Sequence, residues 1–259
     1  MISRKQALVR LKSFDVDISR LYPTSVLDYR GRIINAESVR HYLETERHRL
    51  AEMATLIPDP HFSGARLLDI GIAYGFLAAL LKEDGAWQCE GVDLAENIPV
   101  YGAFVRHHNI PLYSGKLGIQ PLPFPDETFQ AVIFSEVLEH LRLAPSLVFQ
   151  ELRRLLTEGG FLVLTTPNMA RFTHILKLLG GRNPIEPFQS ITTENITEYW
   201  THVREYTMGE LKNLLHCHGF RIIQARYSRC MERGRVHSWV TTLVPPWRGD
   251  LMILAQKRS

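Results

Sequence analysis

The sequence has no C-x-x-C pair, and its three cysteines, Cys89, Cys217 and Cys230, are odd in number and widely spaced. That pattern argues against a disulfide framework or a zinc knuckle, and a cytoplasmic, reducing setting is expected. No run of about 18 apolar residues occurs, so no membrane span is expected. Met1 to Phe14 mixes apolar residues with Arg4, Lys5, Arg10 and Lys12. It lacks an apolar h-region and a small-residue cleavage site, so it does not read as a secretory signal. It reads as a basic helix, either lying on a membrane or packed at a domain edge, and the edge is the expected place. A clustered basic stripe is also missing. The formal charge of +3 permits an anionic partner but does not argue for nucleic acid, which is not the expected partner. There is no internal repeat and no low-complexity tract.

What is present is 45% hydrophobic residues over 259 positions, enough for a full core. Ala36 to Leu56 puts Val39, Tyr42, Leu43, Leu50, Met53 and Leu56 largely on one helical face, and Pro58 and Pro60 end it. Residues 1–60 are therefore expected to form an N-terminal helical cap. From Arg66 onward strand and helix signals alternate. Strands are expected at Arg66 to Gly71, Cys89 to Leu94, Ile110 to Ser114 (weakened by Pro111), Ala131 to Val137, Phe161 to Thr166, Phe220 to Tyr227 and Leu251 to Gln256. Helices are expected at Gly75 to Glu83, Asn97 to His108, Ser146 to Thr157, Ala170 to Leu179 and Met208 to His218. Glu158-Gly159-Gly160 is expected to end one helix and start the fifth strand. The fold class is α/β: a doubly wound, mostly parallel seven-stranded sheet with helices on both faces, over residues 61–259. A long insertion, about 180–207, breaks the rhythm after the fifth strand, and such insertions are often functional.

The first chemical motif is Asp69-Ile70-Gly71-Ile72-Ala73-Tyr74-Gly75, where a buried strand turns into a helix. Glycines there allow a tight turn and close approach of a ligand. Asp93 ends the next strand, where a carboxylate accepts both hydroxyls of a ribose. The spacing Gly71-x-x-x-Gly75 is not that of a dinucleotide site. The Asp69 carboxylate would repel a pyrophosphate and attract an ammonium or sulfonium. The simpler reading makes the glycines packing devices and Asp93 a cap.

With these residues the chain resembles class I S-adenosylmethionine-dependent methyltransferases, in the type 11-like group that acts on small molecules and glycans. Their first motif reads D-x-G-x-G-x-G. Ala73 replaces the middle glycine, and alanine fits there if its φ is negative. Leu122 to Phe129 is similar to the family's "lPFpd.sFd.v" segment, Ser135 to Leu141 to its "VLEHL", Leu155 to Gly160 to its "lLkpGG" and Thr165 to Asn168 to its "sTPN". Two positions depart. Gly118 stands where relatives carry the Gln or Asp that reaches the adenine, so backbone around Leu117 to Ile119 is expected to serve. Gln130 stands where they carry Asp. The resemblance implies S-adenosyl-L-methionine as cofactor. Asp69 would face the methionine ammonium, Gly71, Tyr74 and Gly75 form the turn, Asp93 and Leu94 meet the ribose side, and Ser135 lies near the methionine part.

The second motif is Glu136-x-x-Glu139-His140, which with His202 resembles the metal site of small-RNA 2′-O-methyltransferases. The same "LEHL" occurs in metal-free relatives, and no metal is expected. The third motif runs from His202 through Arg204 and Tyr206 to Thr207-x-x-Glu210, a capping box that opens a helix. Relatives that modify sugars, lipids or small molecules carry a similar stretch. His140, His202 and Arg204 are the candidate catalytic residues on the acceptor side, with His140 the candidate general base. A structural role for Arg204 and Tyr206, tying the insertion to the sheet, is the alternative. The lead-in with Tyr29, Arg30 and Tyr42 is expected to cover the cofactor as a lid, and Gly180 to Thr207 to form the opposite wall. The expected acceptor is a small molecule, sugar or lipid-linked molecule, methylated at oxygen. The alternatives are a metal-dependent RNA methyltransferase and a non-catalytic nucleoside-binding regulatory subunit.

Overall fold

A computed structural model describes residues 2–28, 31–60, 62–185, 202–228 and 235–258. Tyr29, Arg30, Cys230 and the middle of the 180–207 insertion lie outside the described residues. The chain opens with α1 (Arg4–Ser13), α2 (Asp15–Leu21), a small antiparallel hairpin of β1 (Val26–Leu27) and β2 (Ile33–Ile34), and α3 (Ala36–Ala54). Ser3 with Gln6 caps α1, and Asn35 with Ser38 caps α3. Each capping box satisfies amide groups that a helix start leaves open. The sheet proper contains β3 (Arg66–Ile70), β4 (Gln88–Asp93), β5 (Leu112–Ser114), β6 (Phe129–Ser135), β7 (Leu156–Pro167), β8 (Phe220–Ser228) and β9 (Asp250–Lys257). Between them lie α4 (Phe76–Glu83), α5 (Ile98–Tyr101), α6 (Ala103–His107), α7 (Pro145–Leu155), α8 (Phe172–Leu179), α9 (Met208–Cys217) and α10 (Arg235–Leu243).

The strand order is β5-β4-β3-β6-β7-β9-β8. All neighbours are parallel except β9, which runs antiparallel to both β7 and β8. The expected seven-stranded doubly wound sheet is present. Its strand order reverses between β3 and β6, the place where such sheets open a crevice at their carboxyl ends.

One sheet face packs on α7 and α9 through Phe149, Leu152, Leu211 and Leu215. The other face shares a continuous core with the cap, including Leu11, Ile18, Val39 and Met53. The cap has a local cause. Helix α4 is buried from Phe76 to Leu81 without a polar side, so a second layer must cover what the sheet does not. Helices α1 and α3 supply that layer. Helix α1 thus lies at the domain edge, with Ala7 and Leu11 buried.

Three local expectations need correction. The fifth strand starts at Leu156, directly after α7, not at Phe161. Gly159, at φ +70°, serves a bulge inside that strand, opposite a register shift between Phe129 and Ala131. The helix expected over Asn97 to His108 is two short helices that meet at Gly102. Helix α10 and the β1–β2 hairpin add to the expected elements, although Val236, Trp239, Val240 and Leu243 stand at helical spacing.

Candidate active site

A cavity of about 590 Å³ opens at the carboxyl ends of β3, β4 and β6. Its floor is the turn after β3. Gly71 and Gly75 have φ of +75° and +71°, and a Cβ on Gly71 would stand 2.5 Å from Val137 Cγ2. These two positions therefore require glycine. Ala73 departs from the expected negative φ: it sits at +48°. Its conformation is held by its own amide, which donates to Asp93 Oδ2 at 2.8 Å. Asp93 is buried and also accepts from the Leu94 amide at 2.7 Å and from Asn97 Nδ2 at 2.6 Å. The carboxylate is thereby fixed at the end of β4, where it lines the cavity.

Asp69 lies next to the end of β3 and is buried, and its carboxyl makes no hydrogen bond or ion pair with any described residue. Burial, aided by nearby Asp93, pushes its carboxyl up to about 8. Facing the same cavity is Arg49, from the middle of α3. Its side chain is buried, with Nε 2.7 Å from Glu46 and Nη1 3.1 Å from Glu136 and 3.0 Å from Ser135 Oγ. Glu136 follows β6 at φ +54°, a second left-handed residue at the cavity edge. Such strained positions gather at functional sites. An aromatic wall completes this end: Tyr74 meets Tyr42 at 4.9 Å, Tyr101 at 5.1 Å and Tyr22 at 6.0 Å between ring centroids. The sequence reading missed Arg49, although a signal was there. It follows Tyr42 by seven residues and so shares the apolar face of α3.

Beyond β6 a single 3-10 turn, Leu138–His140, brings His140 to the cavity rim. Behind it, Glu139 is 1% exposed; Oε2 accepts from Thr166 at 3.0 Å, while Oε1 has no hydrogen-bond partner. Burial and nearby Glu136 push its carboxyl well above the usual range. His202 stacks edge-on against His140 at 5.0 Å, and its Nδ1 lies 2.8 Å from Glu205 Oε1. Glu205 also takes a two-pronged ion pair from Arg171. Burial works against the charge, but His202 and Arg171 outweigh it and hold the carboxyl at about 2. Glu139, His140 and His202 place possible ligand atoms within 4.8 Å of one another. Glu136, the fourth member of the expected set, turns instead to Arg49 and Thr165.

Of the residues singled out in the sequence, Asp69, Gly71, Tyr74, Gly75, Asp93, Leu94, Ser135 and His140 all line the one cavity. His202 stands behind His140 and does not line it. Arg204 is farther out: it pairs with Glu210 at 3.2 Å, lies over the Tyr206 ring and is largely exposed. The Thr207–Glu210 capping box is present. Gly115, Lys116 and Leu117 form the wall beyond β5; of the stretch Leu117 to Ile119 expected beside the adenine, only Leu117 lines the cavity. Tyr42 lines the cavity, while Tyr29 and Arg30 lie outside the described residues.

Residues 36–225 match the family model described as a methyltransferase domain. The chain belongs to this family of S-adenosylmethionine-dependent methyltransferases. The match begins at the first residue of α3 and so includes Arg49. A Mycolicibacterium smegmatis protein named "probable S-adenosylmethionine-dependent methyltransferase" is 29% identical over 160 residues, covering 62% of this chain and 53% of that protein. A ubiquinone biosynthesis O-methyltransferase of Roseobacter denitrificans is 32% identical over 127 residues, 49% of this chain and 50% of that protein. The chain thus spans about half the length of these curated relatives. A SAM-dependent methyltransferase structure from Archaeoglobus fulgidus shares the Rossmann-like fold, with a TM-score of 0.57 and 20% identity over 84% of this chain and 99% of that one. The methyltransferase's cavity fits the family's cofactor on chemical grounds. Asp69 is an unpartnered buried acid suited to a cation, Asp93 is a fixed acceptor pair, and Gly71 leaves space a Cβ would fill. Among the described residues no helix is long and apolar enough to cross a membrane.

Proposed function

We propose that this methyltransferase methylates a hydroxyl on a small molecule, sugar or lipid-linked acceptor. The observation that carries this reading is the continuity of the cavity. It runs from the Asp69–Asp93 floor to His140 and to cap residues Ile33, Ile34, His41 and Thr45. The ubiquinone O-methyltransferase relatives support an oxygen acceptor. Asp69 holds the ammonium and Asp93 the ribose hydroxyls, with Gly71, Tyr74, Gly75, Leu94 and Ser135 around them. When bound, S-adenosylmethionine supplies an electrophilic methyl on a sulfonium. The protein's share is to place the acceptor oxygen in line and to take its proton. His140 is the base, and His202, fixed by Glu205, orients it. The cap closes the cofactor in from the α3 side. Released S-adenosylhomocysteine should be measured over a panel of phenols, sugars and quinol-like lipids. Turnover on any of them that falls about 10²- to 10⁴-fold in His140→Ala supports the reading. Cofactor binding with no turnover on any acceptor would favour a regulatory subunit.

The Glu139–His140–His202 cluster favours a second reading, in which a divalent cation activates the hydroxyl. Metal-free transfer remains the proposal. It requires that turnover survive exhaustive chelation, and recovery only on adding magnesium or manganese would replace it with the second reading.

A further inference from the structure

Away from the cavity, cap helix α2 and helix α6 bring three metal-binding side chains together. Asp17 comes from α2, His107 is the last residue of α6, and His108 follows it. None of the three lines the cavity. Each offers one ligand atom, and these atoms lie within 4.8 Å of one another. His107 Nε2 is 3.7 Å from Asp17 Oδ1, and both side chains are 31% exposed, so an ion can reach them from solvent. His108 is more enclosed. Its ring lies against Phe14 and Phe104, with centroids 5.3 and 4.3 Å away, and its Nε2 is buried with no hydrogen-bond partner. A buried polar atom left in this state calls for an explanation, and a missing ion is one. Burial, then neighbouring His107, pushes the His108 imidazole down, so at neutral pH the ring keeps an electron pair to give.

The place already attracts a cation. Arg20 Nη2 lies 3.3 Å from His107 Nε2 and 3.6 Å from Asp17 Oδ1. Its side chain is 68% exposed, so it can turn out to water when an ion takes those atoms. Glu83, from α4, stands 3.3 Å from His108 Nδ1 and adds a second negative charge beside the imidazoles. Lys82 is engaged elsewhere, with the His108 and Asn109 carbonyls at 3.0 and 2.5 Å. One carboxylate and two imidazoles form a donor set that suits zinc and its first-row neighbours, whereas magnesium and calcium favour all-oxygen sites. We infer that Asp17, His107 and His108 bind a divalent ion of the zinc class and that this ion fastens the cap to the domain. It would join α2 to α6 five residues before Tyr22, whose hydroxyl donates to the Tyr101 carbonyl at 2.8 Å, next to the aromatic wall of the cavity. The role is structural, and the site is separate from the Glu139–His140–His202 cluster beside the cavity.

The test titrates zinc chloride into the whole, untagged protein by calorimetry, in the wild type and in His202→Ala, which separates this ion from one held beside the cavity. Both should bind zinc with a dissociation constant of about 10 μM or tighter, and zinc should raise the Tm of both. In the His202→Ala background, His107→Ala and Asp17→Asn should each weaken binding by about tenfold or more and abolish the rise in Tm. Those two side chains are partly exposed, so the variants should fold. Arg20→Ala should tighten binding by about threefold, because a competing cation has been removed. Zinc affinity weaker than about 10 μM in His202→Ala overturns the inference, and this result needs no change at the proposed ligands. So does tight binding that neither His107→Ala nor Asp17→Asn weakens, since the ion would then lie elsewhere.

Discussion

Cofactor binding should release a proton, and Asp69 is the reason. In the open cavity its carboxyl is held near 8 by burial and by Asp93, so at neutral pH it carries a proton. An arriving ammonium can be paired only by the ionised form. With a value of about 8, about nine in ten Asp69 carboxyls are protonated at pH 7, and affinity should rise close to tenfold, ~1.4 kcal/mol, between pH 6 and pH 7. Above pH ~8 the ligand's own amine begins to lose its proton, so affinity should peak near there. Calorimetry of S-adenosylhomocysteine in two buffers of different ionisation enthalpy should show about 0.9 proton released per ligand at pH 7. Asp69→Asn should flatten the acid limb and release none. The same group sets a stability slope in the empty protein. A carboxyl raised above its unfolded value of about 3.9 gives stability that is complete below that pH and is lost as pH rises through about 8. Asp69→Asn should therefore raise the empty protein's Tm at pH 8 and have little effect at pH 4. An affinity that changes less than about twofold between pH 6 and pH 7, with no proton release, would refute the reasoning.

Asp93→Ala should weaken S-adenosylhomocysteine by at least about tenfold, read by calorimetry, because its carboxylate also holds the Ala73 amide in place. Gly71→Ala should cost about 1–3 kcal/mol in chemical denaturation and reduce cofactor binding, since its Cβ would meet Val137. Ala73→Gly should keep binding and raise stability by up to about 1 kcal/mol, as a left-handed alanine is replaced by a residue at ease there. Glu205→Gln should cost about 2–3 kcal/mol at neutral pH by leaving Arg171 and His202 without their acid. Because the Glu205 carboxyl is held at about 2, that difference should shrink as pH falls from about 4 toward 2.

The strand-end acids and glycines were legible in the sequence because the turn after β3 demands particular residue types in a fixed order. Asp69, Gly71 and Gly75 share one strand-turn-helix unit and Asp93 closes the next strand, and such local geometry leaves marks at short spacing. Arg49 stands outside that unit, on α3. Its partners Ser135 and Glu136 come from one distant segment, and a charge amid a charged helix looks ordinary until the buried face is known. Ala73 misled for a local reason. Its left-handed φ is stabilised by Asp93, twenty residues later, and that bond has no signature in the motif itself. The bulge at Gly159 reads as a helix end in the sequence because a glycine pair marks either. Only the pairing of Phe129 with Leu156 and of Ala131 with Phe161 separates the two.

The placement of β9 has a consequence for how the chain is made. It pairs with β7 along Phe161 to Pro167 and with β8 along Phe220 to Ser228, so β8 joins the sheet only through it. On a ribosome, β7 and β8 are both synthesised well before their shared neighbour. During that interval β7 keeps an open edge, carrying the apolar run Phe161 to Leu164, and β8 has no strand to pair with. The nascent chain therefore stays a half-built sheet until β9 is made, with an exposed template for pairing with other chains. Slowing translation between residues 228 and 250 should lengthen that exposure and raise the share of aggregated product, without changing any residue of the finished protein.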